Sequence, residues 1–267
     1  MNRIAHHIRI GGLYFLQALK MRMEYRLDFF VECLAALLQQ ATGLLVLEFL
    51  FRNFQSMKDW SRYEVFFIYG FSLIPMAFFD AFSMSLYGFS DRYIVHGELD
   101  RLLLRPLSSL FQLLMEGITF DFLADLTLGI GVLTYAWSHV GPELSISMML
   151  KFAILVVGAW GVLAGVFLAL TSLSFWSQDR ISFLPPVYNL LNFARYPLSI
   201  YRPFVRILLT WIIPFGFVAF YPAAGLIQRE TAFREFAYFV PLAGLTALGC
   251  GVLLWQGGLR RYAGAGS

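Results

Sequence analysis

Asp121 and Asp125 stand four residues apart in LLMEGITFDFLADLTL, with Glu116 just before them and Asp80 earlier in IPMAFFDAFSM. Residues four apart share one face of a helix, and each of these carboxyls sits in a run otherwise suited to hydrocarbon. An ionisable group placed there costs several kcal/mol unless it faces the bundle interior or a wet cavity. Three chemistries use such groups: lining a polar path for a substrate, relaying a proton, or stapling helices through hydrogen bonds with some carboxyls protonated. Residue types leave all three open. Gln39 and Gln40, in an equally apolar run, pose the same choice and are read as packing glue across a subunit interface.

Other chemistries are absent from the pattern. A phosphate-binding loop needs Gly-Lys-Ser/Thr, and the lysines, Lys20, Lys58 and Lys151, follow Leu, Met and Leu. No HExxH, CxxC or GxSxG occurs, so no catalytic residue and no metal site is expected. Cys33 and Cys250 fall inside apolar runs, as small hydrophobes rather than as a disulfide.

A second constellation is DRYIVHGELDRLLLRPLSSL, at residues 91–110. Gly97 separates two pieces, Glu98 and Asp100 suit the positive end of a helix, and Pro106 stops the turn LDRLLLR. The spacing predicts a short helix from Glu98 to Arg105. Leu102, Leu103 and Leu104 are consecutive and cannot all lie on one amphipathic face, so part of that surface fits a partner protein; an ordinary interfacial helix is the alternative.

The elements that must position these groups follow from hydropathy. The 267 residues are 59% hydrophobic and 14% charged, with a mean hydropathy of +0.67, against roughly 25% charged in a soluble domain. This composition is that of an all-α integral membrane protein, with room for about six crossings of roughly 20 residues. A net charge of +3 gives no nucleic-acid surface. Residues 1–28 alternate Ile4, Ile8, Phe15, Leu19, Met23 and Leu27 with basic and polar positions, too many charges for a signal peptide and the right period for a helix lying on the membrane. Crossings are expected at 29–51, 63–89, 110–137, 147–176 and 236–256, with 90–109 as a loop on the cytoplasmic side.

The stretch 181–230 is longer than one crossing and holds Pro185, Pro186, Pro197, Pro203, Pro214 and Pro222. Two crossings there would put Arg260 and Arg261 outside. One crossing plus a broken, re-entrant segment keeps both termini in the cytoplasm. Either Ile181 to about Leu198 or Phe204 to Tyr221 can be the crossing.

The run GELDRLLLRPLSSLFQLL resembles the segment after the second span in type-2 ABC exporter permeases, through Gly97, Leu99, Asp100, Leu102, Leu103, Pro106, Leu107 and Ser108. FWSQDRISF is similar to that family's charged link after the fourth span. AFYPAAGLI is similar to its Asn-Pro motif, with Tyr221-Pro222 in place of Asn-Pro. The order of spans and FARYPLSIYRPFVR resemble small bacterial permeases encoded in pairs beside one ATPase. The resemblance covers essentially the whole chain.

It implies a division of labour. The chain would be the transmembrane half of an exporter of the cytoplasmic (inner) membrane, paired with itself or a sister permease and driven by two copies of a separate ATPase that carries the ATP and magnesium. Gly97, Glu98, Leu99, Asp100, Arg101, Leu102, Leu103, Leu104, Arg105 and Pro106 would form the coupling helix. Residues 1–28 would be a connecting helix, and Pro203, Pro214, Tyr221 and Pro222 would belong to an outward gate. A proton-coupled carrier built on Asp121 and Asp125 is one rival, although the internal repeat such carriers usually show is missing. A non-transporting membrane scaffold or sensor is the other.

Overall fold

The computed structural model describes residues 3–177, 184–227 and 234–262. Helix α1 (Arg3–Glu24) breaks at Tyr25 into α2 (Arg26–Asn53), a break fastened by an ion pair between Arg22 and Glu32. The turn Met57–Trp60 leads to α3 (Arg62–Tyr87), whose start carries a reciprocal cap: Glu64 N–H donates to Ser61 Oγ and Ser61 N–H to the Glu64 carboxylate at 2.8 Å. A π-helical segment (Phe89–Val95) prolongs α3, so apolar helix runs from residue 62 to 95. Then come α4 (Glu98–Leu103), α5 (Ser109–Glu116), α6 (Phe122–Val140), α7 (Ile146–Ser172) and the single turn α8 (Ser174–Ser177). After the undescribed residues 178–183 follow α9 (Leu184–Ala194), α10 (Pro203–Ile207), which continues as a π turn to Ile212, and α11 (Phe220–Leu226). The last helix is α12 (Val240–Arg261). The charged link SQDR falls from Gln178 onward outside the described residues.

Among the described residues, four helices are long and apolar enough on their own to cross a membrane: 26–53, 62–95, 146–177 and 234–261. The expected crossing 110–137 is instead two helices, α5 and α6, broken at 117–121. Gly117 and Asp121 flank the break, and docking on α3 fixes it. A Cβ on Gly117 would lie 2.8 Å from the backbone nitrogen of Ser85, and Thr119 N–H donates to the Ala81 carbonyl at 3.1 Å. Close approach and a borrowed hydrogen bond hold the chain off helical geometry there.

Side-chain pairs fix the direction of every segment. Gly43 lies on Tyr69 and Glu48 on Arg62, so α2 and α3 are antiparallel. Gly70 meets Leu133 and Leu73 meets Gly129, so α6 returns along α3. Phe71 packs on Phe152 and Phe79 on Phe167, so α7 runs with α3. Tyr188 reaches Asp80 and Arg195 reaches Met76, so α9 runs against it. The decisive pair is α7 and α12. Gly158 lies on Val240, Gly161 on Gly244 and Gly165 on Ala247, which makes these helices parallel.

Two parallel helices need an odd number of crossings between them. Between them, among the described residues, α9 lies antiparallel to α3 and 203–226 forms a bent hairpin. Its limbs, 203–212 and 215–226, bend by 77° and begin and end at the same level: Ser199 bonds Trp60 Nε1 at 2.8 Å, Phe220 packs on Trp60, and Lys151 Nζ donates to Gly225 O at 2.7 Å. The apex, after Pro214, places Phe215 in a stack on Phe167 of α7. Of the two crossings the sequence allowed, the described part of the one ending near Leu198 lies along α3, and Phe204 to Tyr221 falls within the bent pair. The chain's first and last long helices thus start and end at the same end of the bundle, where Trp255 packs on Phe89.

Gly161 and Gly165 form a GxxxG in GAWGVLAGVF, a spacing that serves close packing within a subunit and dimerisation alike, and both lie here on α12 of the same chain. Burial is uneven: 83% of the most apolar window of α3 is covered but only 11% of that of α2. Helix α2 is a peripheral rib, and α12, with 22% of its window covered, is the next most open.

Candidate functional site

The loop between α3 and α5 is a built knuckle. Gly97 has φ 70°, the left-handed conformation that glycine adopts without strain, and it turns the chain from the π segment into α4. Arg92 donates to Glu98 at 2.6 Å across that turn. Beneath α4, Leu99 and Leu102 are fully buried. The side chain of Gln112, also buried, donates from Nε2 to the carbonyls of Leu102 (3.0 Å) and Leu107 (3.1 Å), satisfying groups that a helix end leaves open.

What α4 does not bury is its far side. Leu103 is 48% exposed and Leu104 86%, while Arg101, Arg105 and Pro106 are exposed as well. The three consecutive leucines divide as helical geometry requires: Leu102 anchors the knuckle, and Leu103 with Leu104 form an uncovered apolar tip. Asp100, in the first turn, is half-buried.

Helix α1 lies beside the knuckle rather than only on lipid. Arg105 donates to Tyr14 Oη at 3.2 Å and to Glu116 at 3.3 Å, His7 packs edge-on to Phe111, and Phe15 to Phe120. Glu116 also accepts from Tyr93 Oη at 2.9 Å. The break at 117–121 separates Glu116 from Asp121 and Asp125, and Glu116 staples the knuckle through Tyr93 and Arg105. Arg92 and Gln112, which fasten that knuckle, carried no motif and were missed; the i to i+6 spacing of Arg92 and Glu98 across a glycine was the only available signal.

The remaining carboxylates form a polar node at mid-bundle. Arg195, only 8% exposed, donates from one guanidinium nitrogen to Gln40 Oε1 at 2.8 Å and from the other to Met76 Sδ at 3.4 Å, and it lies over the Tyr69 ring. Gln40 Nε2 in turn donates to Asp125 at 3.4 Å, and Tyr69 Oη donates to the Gln40 carbonyl at 2.9 Å. The arrangement is a charge pair bridged by an amide, joining α2, α3, α6 and α9. Asp80 stands below it, accepting from Tyr188 at 3.1 Å. Asp121 sits one turn before Asp125 at the start of α6, with Oδ1 buried and unbonded.

In the hairpin, Pro203 occupies the first turn of α10 and Pro214 the break between limbs. The hydroxyls of Thr210 and Tyr221 bond across the limbs at 2.6 Å, and the Tyr221 ring stacks on Phe236. Pro222 is buried in α11.

A family model described as ABC-2 family transporter protein matches residues 37–266, which takes in α3 to α12, the knuckle and the hairpin. The chain belongs to the ABC-2 transporter family. No curated protein and no solved structure matches it. As an ABC-2 permease the chain is a membrane subunit of an ABC transporter and carries no catalytic centre. The match begins within α2, so α1 and its contacts with the knuckle lie outside it.

Proposed function

We propose that this chain is the transmembrane half of an ATP-driven exporter of the bacterial cytoplasmic membrane, and that the tip of α4 docks on a separate ATPase subunit. The observation that carries this reading is a rigid knuckle with an uncovered apolar tip: Leu99 and Leu102 are held under it, and Leu104 stands 86% exposed beyond it. A loop fixed so firmly transmits force, and exposed leucine at the end of a polar helix suits a groove on a soluble partner. With that end in the cytoplasm, the N-terminal helix and the basic end of α12, Arg260 and Arg261, also face inward, as the positive-inside tendency favours. The six segments α2, α3, α5–α6, α7, α9 and α12 are then the crossings. The sparsely covered α2 suits a seam with a second permease, either a copy of this chain or a sister. Two ATPase copies would serve the pair and hold the ATP and magnesium.

The test is co-purification of the full chain with its ATP-binding partner. Leu104→Asp is expected to weaken the complex about tenfold, the scale of one good interface contact, while the melting temperature of the permease stays unchanged because the residue supports nothing in the fold. Leu102→Asp, by contrast, is expected to lower that melting temperature. An ATPase that binds and hydrolyses equally well with Leu104→Asp would sink the docking role.

The hairpin fits an outward gate, since its limbs are fastened by a bond that crosses from one to the other and its apex wedges against α7. Tyr221→Phe removes only the hydroxyl that bonds Thr210. The expected result is about 1 kcal/mol less stability, with increased leak of a small fluorescent solute from proteoliposomes lacking ATP. Leak equal to wild type would argue that the hairpin is structural filler.

A further inference from the structure

Two cavities share Met115 as a wall. The first, of about 340 Å³, opens between α1, the π segment, α4 and α5, and is lined by Arg92, Arg101 and Arg105 together with Glu98 and Glu116. Arg92 is matched by Glu98 and Arg105 by Glu116. Arg101 forms no ion pair among the described residues, so the cavity holds one uncompensated positive charge. Tyr14 and Gln17 of α1 add neutral hydrogen-bonding groups to the same wall.

The second cavity, of about 310 Å³, lies between α3, α5, α7 and α12 and is apolar, with Phe82, Leu114, Trp160 and Leu248 among its walls. Each volume is at the low end of the roughly 300–1,000 Å³ that holds small ligands. Methionine is the most adaptable apolar side chain, and Met115 is the partition between a cationic chamber and a hydrocarbon one. The cationic chamber is at the level of the membrane surface, because Leu13, Leu16 and Met21 of the adjoining α1 are exposed and the start of α2 follows directly.

We propose that this double cavity binds one anionic phospholipid, its headgroup phosphate on Arg101 with Tyr14 and Gln17, and one acyl chain past Met115 in the apolar chamber. A free anion would use the first chamber and have no use for the second; a neutral lipid would use the second and leave Arg101 unmatched. Since Glu98, Arg101 and Leu102 of α4 form part of the headgroup wall, the bound lipid braces the knuckle against α1.

Native mass spectrometry of the full chain, released from mixed vesicles of phosphatidylglycerol and phosphatidylcholine with identical chains, reads the site directly. The expected result is one phosphatidylglycerol retained per chain, about tenfold over phosphatidylcholine. Arg101→Gln, at an exposed position without a partner, should bring retention down to the phosphatidylcholine level, and Met115→Trp, which closes the passage without changing charge, should reduce it as well. Circular dichroism melts of both variants confirm that each is folded. Equal retention of the two lipids, or undiminished phosphatidylglycerol on Arg101→Gln, overturns the proposal. So does displacement of the lipid by millimolar inorganic phosphate, which would mean that the first chamber alone binds a free anion.

Discussion

Gly165→Leu is expected to abolish the pairing of α7 with α12 and with it most of the folded, detergent-soluble protein. A Cβ at position 165 would lie 2.1 Å from the carbonyl carbon of Ala247 and 2.4 Å from its oxygen. Neither atom belongs to a side chain that can swing away. Overpacking a core ordinarily costs about 1 to 3 kcal/mol because side chains rearrange; backbone against backbone offers no such relief, so the helices must separate. Separation would also part Gly158 from Val240 and Gly161 from Gly244, the rest of the same small-residue seam. In lipid that seam is held by close packing, because no hydrophobic gain brings apolar helices together. Gly249→Leu is the control: it lies on α12 too, but nothing stands within 4 Å of its added Cβ, and its melting temperature should match wild type. Fluorescence-detected size exclusion and a thermal melt separate the two. If Gly165→Leu elutes and melts like Gly249→Leu, the parallel α7–α12 seam, and the topology deduced from it, is wrong.

That seam also shows which parts of the fold were legible in the residues. Composition gave the membrane, because hydrocarbon tolerates so few sequences. The knuckle was legible because Gly97, Glu98 and Pro106 are local signals that act on their own neighbours. GAWGVLAGVF announced close helix contact, but glycine spacing is the same whether the partner helix is in the chain or outside it; only the position of Val240, Gly244 and Ala247 decides. The break at 117–121 was hidden for the opposite reason. Gly117 and the charges Glu116 and Asp121 stand at its edges, but what fixes the break lies on another helix, at Ala81 and Ser85. Proline density in 181–230 announced irregular backbone and Arg260 and Arg261 favoured one crossing there, whereas the parallel sense of α7 and α12 is encoded in no local pattern.

The polar node was the least legible feature, and it carries the last prediction. No motif singled out Arg195, which lies beside Met76, at the middle of α3, and bonds Gln40, at the middle of α2. Arg195→Met is expected to destabilise the solubilised protein by about 3 to 5 kcal/mol, the scale for removing one member of a buried charge pair. The loss has two sources: Gln40 Oε1 keeps only its longer bond from Tyr69 Oη, 3.3 Å, and Asp125 is left in the bundle without its cation. Asp125→Asn alone should cost less, since the amide still meets Gln40. The double variant should recover part of the loss, because an uncharged side chain then faces another uncharged one, giving a coupling energy of about 1 kcal/mol or more. Arg195→Lys is no rescue: a single ammonium cannot reach Gln40 and Met76 at once as the guanidinium fork does. The same node is also the main polar tie between the sparsely packed α2 and the rest of the bundle, so any movement of α2 during a transport cycle must open or carry it. Transport assayed alongside the melts distinguishes a brace from a working latch. If Gln40→Leu lowers transport no further than its loss of folded protein explains, the node is a staple only; strictly additive costs for Arg195→Met and Asp125→Asn would show that the two charges do not sense each other through Gln40 at all.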